Sequence, residues 1–206
     1  MNVITISGAH GAGKDEVIKH LMEKLQTEYP GLVAQALYGT TRKLRNNEIN
    51  GTDIICYGKE QFEEMLRNDE ILFYRDIGDY KVGLSKSEAK KAGFIVTNIT
   101  DEFARKFKEL AQKQGGRCFS VYLHTGKDLQ ANEAVRRQRI GLRESVLLKE
   151  MIDWKIEHDP VNSDPEKHKD FDLVIENKEN DLERTVEMVH SEVKKFIESI
   201  RAENHA

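Results

Sequence analysis

The segment Gly8-Ala9-His10-Gly11-Ala12-Gly13-Lys14-Asp15 constrains this chain more than any other stretch. It meets the pattern G-x-x-x-x-G-K. It stands between a short β-branched run, Val3 to Ser7, and a stretch where Val17, Ile18, Leu21, Met22 and Leu25 recur at helical spacing. A strand that turns through glycines into a helix brings several backbone N–H groups to bear on one point, and the helix N-terminus adds partial positive charge. That arrangement suits the phosphates of a nucleoside triphosphate such as ATP, with Lys14 reaching the outer ones. A glycine-rich turn without a ligand is the plainer alternative. Residues Gly8 to Asp15 are therefore the candidate triphosphate-binding loop, with His10 expected to face solvent. The residue after the lysine is normally Ser or Thr, whose hydroxyl binds Mg²⁺. Here it is Asp15, also a hard oxygen donor, which makes it the candidate metal ligand.

The rest of the chain alternates strand and helix patterns. Strands are expected at 32–38, 71–76, 80–84, 94–99, 118–123 and 171–175. Helices are expected around Phe62, over 101–113, over 128–158 with a break near Gly141, and in the tail from Leu182 to Ile200. Alternation of this kind implies a parallel sheet covered on both faces, a three-layer α/β/α fold. The stretch 39–91 breaks the rhythm with short strands around one helix, as an inserted lobe would. The 206 residues then form a single domain, with a core of 1–38 and 92–206, a lobe of 39–91 and a short helical lid near 136–150.

Composition narrows the function classes. A third of the residues are charged, yet the net charge is only -4 with both signs interspersed, which argues against a nucleic-acid-coating protein. Cys56 and Cys118 lack metal-type spacing and read as ordinary reduced thiols. The first residues carry no signal-peptide pattern, and no apolar run approaches a membrane span. The expectation is a cytoplasmic protein, monomer or homodimer, with no membrane or nucleic-acid partner.

Beyond the loop, T40-T41-R42-K43-L44-R45-N46-N47-E48-I49-N50-G51-T52-D53 resembles the acceptor motif TTRxxRxxExxGxD of the guanylate kinase family and meets each of its defined positions. FDLVIEN (171–177) is similar to that family's last strand, and R139-I140-G141-L142-R143 to its RLxxR at the start of the lid. The resemblance spans nearly the whole chain. It implies a P-loop NTPase fold with an acceptor lobe and lid, and ATP- and Mg²⁺-dependent phosphorylation of GMP. By the same resemblance Arg42 and Arg45 hold the acceptor's phosphate, Glu48 and Asp53 belong to the acceptor site, and Asn177 lies near the adenine. Elementary chemistry agrees for the arginines, since two guanidinium forks suit a phosphate dianion. Arg139 and Arg143, four residues apart and so on one helix face, are expected to close over the transferring group beside Lys14 and Arg42. A solvated basic face is the alternative for this segment, where Arg136 and Arg137 also lie.

The base-reading positions depart from the family. Tyr38 stands where the family has Ser, and Phe73 where it has the guanine-reading Glu. Ile54 replaces a Tyr after the GxD, and Val82 and Leu84 flank Gly83 in place of Tyr and Ser or Thr. The phosphate end of the acceptor site is kept while the base end is rewritten. The expected reaction is transfer of the γ-phosphoryl group of ATP to a nucleoside monophosphate, with GMP the family default. The alternatives are a kinase of another small phosphate, such as ribose 1,5-bisphosphate or a deoxynucleotide, and a non-catalytic guanylate kinase-like binding module. A loop of the GKD type resembles that of the ribose 1,5-bisphosphate phosphokinases.

Overall fold

The computed structural model describes residues 1–45, 48–126, 129–143, 168–178 and 180–204. Its elements in chain order are β1 (Asn2–Gly8), α1 (Lys14–Glu28), β2 (Val33–Gln35), β3 (Gly39–Thr40), β4 (Ile55–Cys56), α2 (Lys59–Arg67), β5 (Ile71–Ile77), β6 (Tyr80–Ser85), α3 (Lys86–Ala89), β7 (Phe94–Asn98), α4 (Asp101–Lys113), β8 (Cys118–His124), α5 (Leu129–Arg143), β9 (Leu173–Glu176) and α6 (Leu182–Asn204).

Five strands form a parallel sheet in the order β2-β7-β1-β8-β9. A parallel sheet is stable when both faces are covered, and the sequence supplies both coverings. Successive β1 residues point to opposite faces. Ile4 and Ile6 join Val17, Leu21 and Leu25 of α1 and Val189, Val193 and Ile197 of α6 in one core. Val3 joins Ile95, Tyr122 and, from α4, Ala104 and Phe107 in the other. The second core also takes in Leu84 and Ala89 from the inserted segment, and so fastens that segment to the sheet.

The insertion carries its own four-stranded sheet, β4-β3-β6-β5, in which β5 and β6 pair as a hairpin through Gly78 and Asp79. The strand expected over 32–38 forms only over Val33–Gln35, and a separate strand, Gly39–Thr40, begins beyond the expected end. Val33–Gln35 pairs with β7, whereas Gly39–Thr40 pairs with β4 and β6 of the second sheet. The last strand begins at Leu173 rather than Phe171, because the Asp172 carboxylate caps the neighbouring strand, accepting from the Ser120 N–H at 2.8 Å and from its hydroxyl at 2.7 Å. Gly141 does not break the helix expected there, since α5 runs through it to Arg143. Residues 144–158, and with them the second part (144–150) of the lid expected over 136–150, lie outside the described residues.

Candidate functional site

The loop leaves β1 and returns into α1 with Gly8, Gly11 and Gly13 all at positive φ. Gly13 caps α1 in the left-handed conformation at φ 86°, and a β-carbon there would collide with the Asn177 side chain, so the position tolerates only glycine. The Lys14 ammonium curls back over the loop and donates to the carbonyl oxygens of Gly8 at 2.7 Å and Ala9 at 3.0 Å. Asn177 donates to the Ala12 oxygen at 2.8 Å. Asp15 is exposed on the first turn of α1, and the Asn98 amide at the end of β7 donates to its carboxylate at 2.7 Å.

The motif that begins at Thr40 forms a loop folded on its own side chains. Glu48 accepts two bonds from Arg42, at 2.6 and 2.7 Å, and one from the Arg45 N–H at 2.9 Å. Asp53 accepts from the Ile49 N–H at 2.8 Å, Asn50 from the Cys56 N–H at 2.8 Å, and the Gly51 N–H bonds the Ile54 oxygen at 2.9 Å. The Arg42 fork and the bond from the Arg45 N–H hold the Glu48 carboxyl at a pKa of about 2, and Glu48 raises that of Arg42 in turn. Arg42 also donates through Nη1 to the Lys43 oxygen at 2.8 Å. These bonds use both Nη1 donors and one Nη2 donor. The Nε–H edge of the guanidinium is left for a further acceptor. The Arg45 guanidinium is 56% exposed and stands 3.7 Å from Glu48.

At the other end of the lobe the surroundings are aromatic. The Phe73 ring stacks on Phe103 with centroids 5.0 Å apart, meets Phe107 edge-on at 4.9 Å and meets Tyr38 at 5.9 Å. Burial pushes the Tyr38 hydroxyl well above the usual phenol range, against an opposing pull from Thr97 and Arg75, and so keeps it neutral. Tyr38 and Phe73 thus share one cluster, bridging the inserted sheet and α4, whereas Arg42, Arg45, Glu48 and Asp53 share the loop above.

From α5, the Arg139 guanidinium donates to the Asn177 oxygen at 2.9 Å and to the Gly11 oxygen at 3.4 Å. Lys14, Arg139 and Asn177 therefore meet at the phosphate loop. The Arg143 side chain lies outside the described residues. Arg136 carries more of the arrangement than its sequence suggests. It is not on a solvated face but 2% exposed, and it donates to the His10 oxygen at 2.7 Å. Its one visible signal is the i, i+3 spacing to Arg139, which puts both on the same side of α5.

A glycine loop at a helix N-terminus, on a parallel α/β sheet with an inserted lobe that carries the Arg42–Glu48 fork, defines a phosphotransferase of the P-loop NTPase class. Comparison with known proteins narrows the class. A sequence model described as guanylate kinase matches residues 1–199. The guanylate kinase of Helicobacter pylori is 27% identical over 208 residues, covering 98% of this chain and 91% of that protein. The guanylate kinase of Bacillus anthracis is 35% identical over 79 residues, 38% of this chain and 37% of that one. Among solved structures, guanylate kinase from Anaplasma phagocytophilum superposes with a TM-score of 0.60 at 18% identity, covering 95% of this chain and 84% of that chain, a likeness of fold. The chain belongs to the guanylate kinase family. It is a nucleoside monophosphate kinase of guanylate kinase type, a phosphotransferase.

Proposed function

We propose that this protein moves the γ-phosphoryl group of ATP to the phosphate of a nucleoside monophosphate without reading the base as guanine. The observation that carries the acceptor half is the Arg42–Glu48 fork. Glu48 grips one edge of the guanidinium and leaves the Nε edge open, which presents an oriented charge to a phosphate. Arg45, anchored to the same carboxylate through its backbone, supplies a second and more exposed cation. On this reading Glu48 and Asp53 serve the acceptor site by holding Arg42 and the loop in place.

The donor half rests on the loop Gly8 to Asp15. Its N–H groups cradle the ATP phosphates, Lys14 leaves the Gly8 and Ala9 oxygens for the outer phosphates, and Arg139 and Arg143 neutralise the developing charge. Such transfer is mainly positioning and charge neutralisation, with little need for a protein base. Mg²⁺ keeps several waters and takes one or two carboxylates plus substrate phosphates. Asp15, oriented by Asn98, is the carboxylate that fits. When bound, the ion would neutralise phosphate charge.

The base end differs in kind from the phosphate end. A site that hydrogen-bonds a base edge discriminates strongly, and the Phe73–Phe103–Phe107 cluster with Tyr38 offers stacking and apolar contact instead. GMP therefore loses its advantage over other acceptors. The test is an ADP-release screen with Mg-ATP against the nucleoside monophosphates, their deoxy forms and ribose 1,5-bisphosphate. Comparable turnover of several nucleotides is expected. A hundredfold preference for GMP overturns the base-end reading. Turnover of ribose 1,5-bisphosphate alone replaces a nucleotide acceptor with a sugar phosphate.

A further inference from the structure

Five successive carbonyl oxygens of the loop accept hydrogen bonds from side chains of the protein. Lys14 bonds those of Gly8 and Ala9, Arg136 that of His10, Arg139 that of Gly11 and Asn177 that of Ala12. A trans peptide unit is planar, so its C=O and the N–H of the next residue point in opposite directions. A donor on the His10 oxygen therefore sets the direction of the Gly11 N–H. A donor on the Ala12 oxygen sets that of the Gly13 N–H. Each of these units has glycine on one side, which would otherwise ease its rotation.

The two holds at 2.7 and 2.8 Å come from outside the loop and from two different elements. Arg136 lies on α5 and Asn177 at the end of β9. Arg136 is nearly fully buried, and its bond to the His10 oxygen is charge-assisted. Its backbone also abuts Gly11, where an added β-carbon would stand 3.0 Å from the Arg136 carbonyl oxygen. The loop is thus clasped at two alternate peptide units.

We propose that Arg136 and Asn177 are positioning residues that aim the Gly11 and Gly13 amides at the nucleotide's phosphates. The inference rests on the nucleotide site proposed above. In that reading Lys14 moves from its carbonyls to the outer phosphates, so these two residues keep the loop's shape in the bound state as well. Neither need touch the transferred group.

The test measures Mg-ADP affinity by calorimetry on the full chain, with backbone amide NMR on the same samples. Arg136→Met and Asn177→Leu each remove the donor at similar size. Each is expected to weaken Mg-ADP about tenfold or more, the worth of one oriented hydrogen bond in a site where the other partner stays buried. In the wild type, Mg-ADP shifts the Gly11 and Gly13 amide protons downfield. The Gly11 shift shrinks in Arg136→Met and the Gly13 shift in Asn177→Leu, a selectivity that general loosening would not produce. Arg136→Lys, which keeps a charged donor, recovers most of the affinity, and Asn177→Leu carries the test where the methionine variant does not fold. Wild-type affinity in Asn177→Leu and in whichever folded Arg136 variant lacks the bond overturns the inference. A wild type that binds no Mg-ADP overturns the nucleotide site itself.

Discussion

The Arg42–Glu48 fork makes a prediction whose size follows from the structure. Glu48→Gln keeps the shape of the side chain and removes its charge. The carboxyl's pKa falls from the ordinary 4.5 to about 2, held there by the Arg42 fork and the Arg45 N–H. At about 1.4 kcal/mol for each pH unit, that is roughly 3 kcal/mol between the charged and neutral forms. Glu48 is 15% exposed, so solvent screens part of the interaction and the expected loss of stability at pH 7 is about 2 kcal/mol. The sign is that of a carboxylate whose folded pKa is depressed. Its stabilisation is fully present above pH 4.5 and is lost as the pH falls toward 2. Urea unfolding of wild type and variant from pH 7 down to pH 2 should show a gap that is constant to about pH 5 and then closes. Arg42 also loses its orientation, so the acceptor's KM should rise while that of ATP stays within about twofold. A gap that does not change with pH, or an unchanged acceptor KM, would refute the role assigned to the fork.

Two further outcomes follow. Asp15→Ala should raise the Mg²⁺ concentration that gives half-maximal ADP formation, read by titrating the metal at fixed ATP. An unchanged titration removes Asp15 from the metal site. Ile197→Ala, at a fully buried α6 position against α1 and the sheet, should cost about 2–5 kcal/mol in denaturant unfolding while leaving turnover of the folded fraction unchanged.

Much of this architecture could be read from residue patterns, and the exceptions have physical causes. The α1 and α6 stripes repeat at helical spacing because they cover one face of the sheet, and Asp101–Lys113 forms the helix expected there. The early end of the second strand was not legible, since the run from Leu32 to Tyr38 continues past Gln35, where the pairing with β7 stops. Gly141 suggested a break because glycine costs a helix about 1 kcal/mol, a penalty that tertiary packing readily absorbs.

At the site, the glycine loop announced itself through spacing and context. Arg136 did not. A buried arginine and a solvated one look alike in a basic helix when the partner is a backbone oxygen 126 residues away. The same limit applies to Glu48 and Asp53. The motif marks them as important, and only the hydrogen bonds show that they hold the loop rather than face outward.

In the proposed reaction the loop at Gly8 to Asp15 drives phosphoryl transfer to a phosphorylated acceptor. The most direct measurement is ³¹P NMR of Mg-ATP with a nucleoside monophosphate, comparing wild type with Lys14→Met. ADP and the corresponding diphosphate should appear in equal amounts with the wild type, and the rate should fall at least about a thousandfold in a variant that unfolds as cooperatively as its parent. Equal rates in the two proteins, or ADP released with inorganic phosphate and no phosphorylated acceptor, would contradict it.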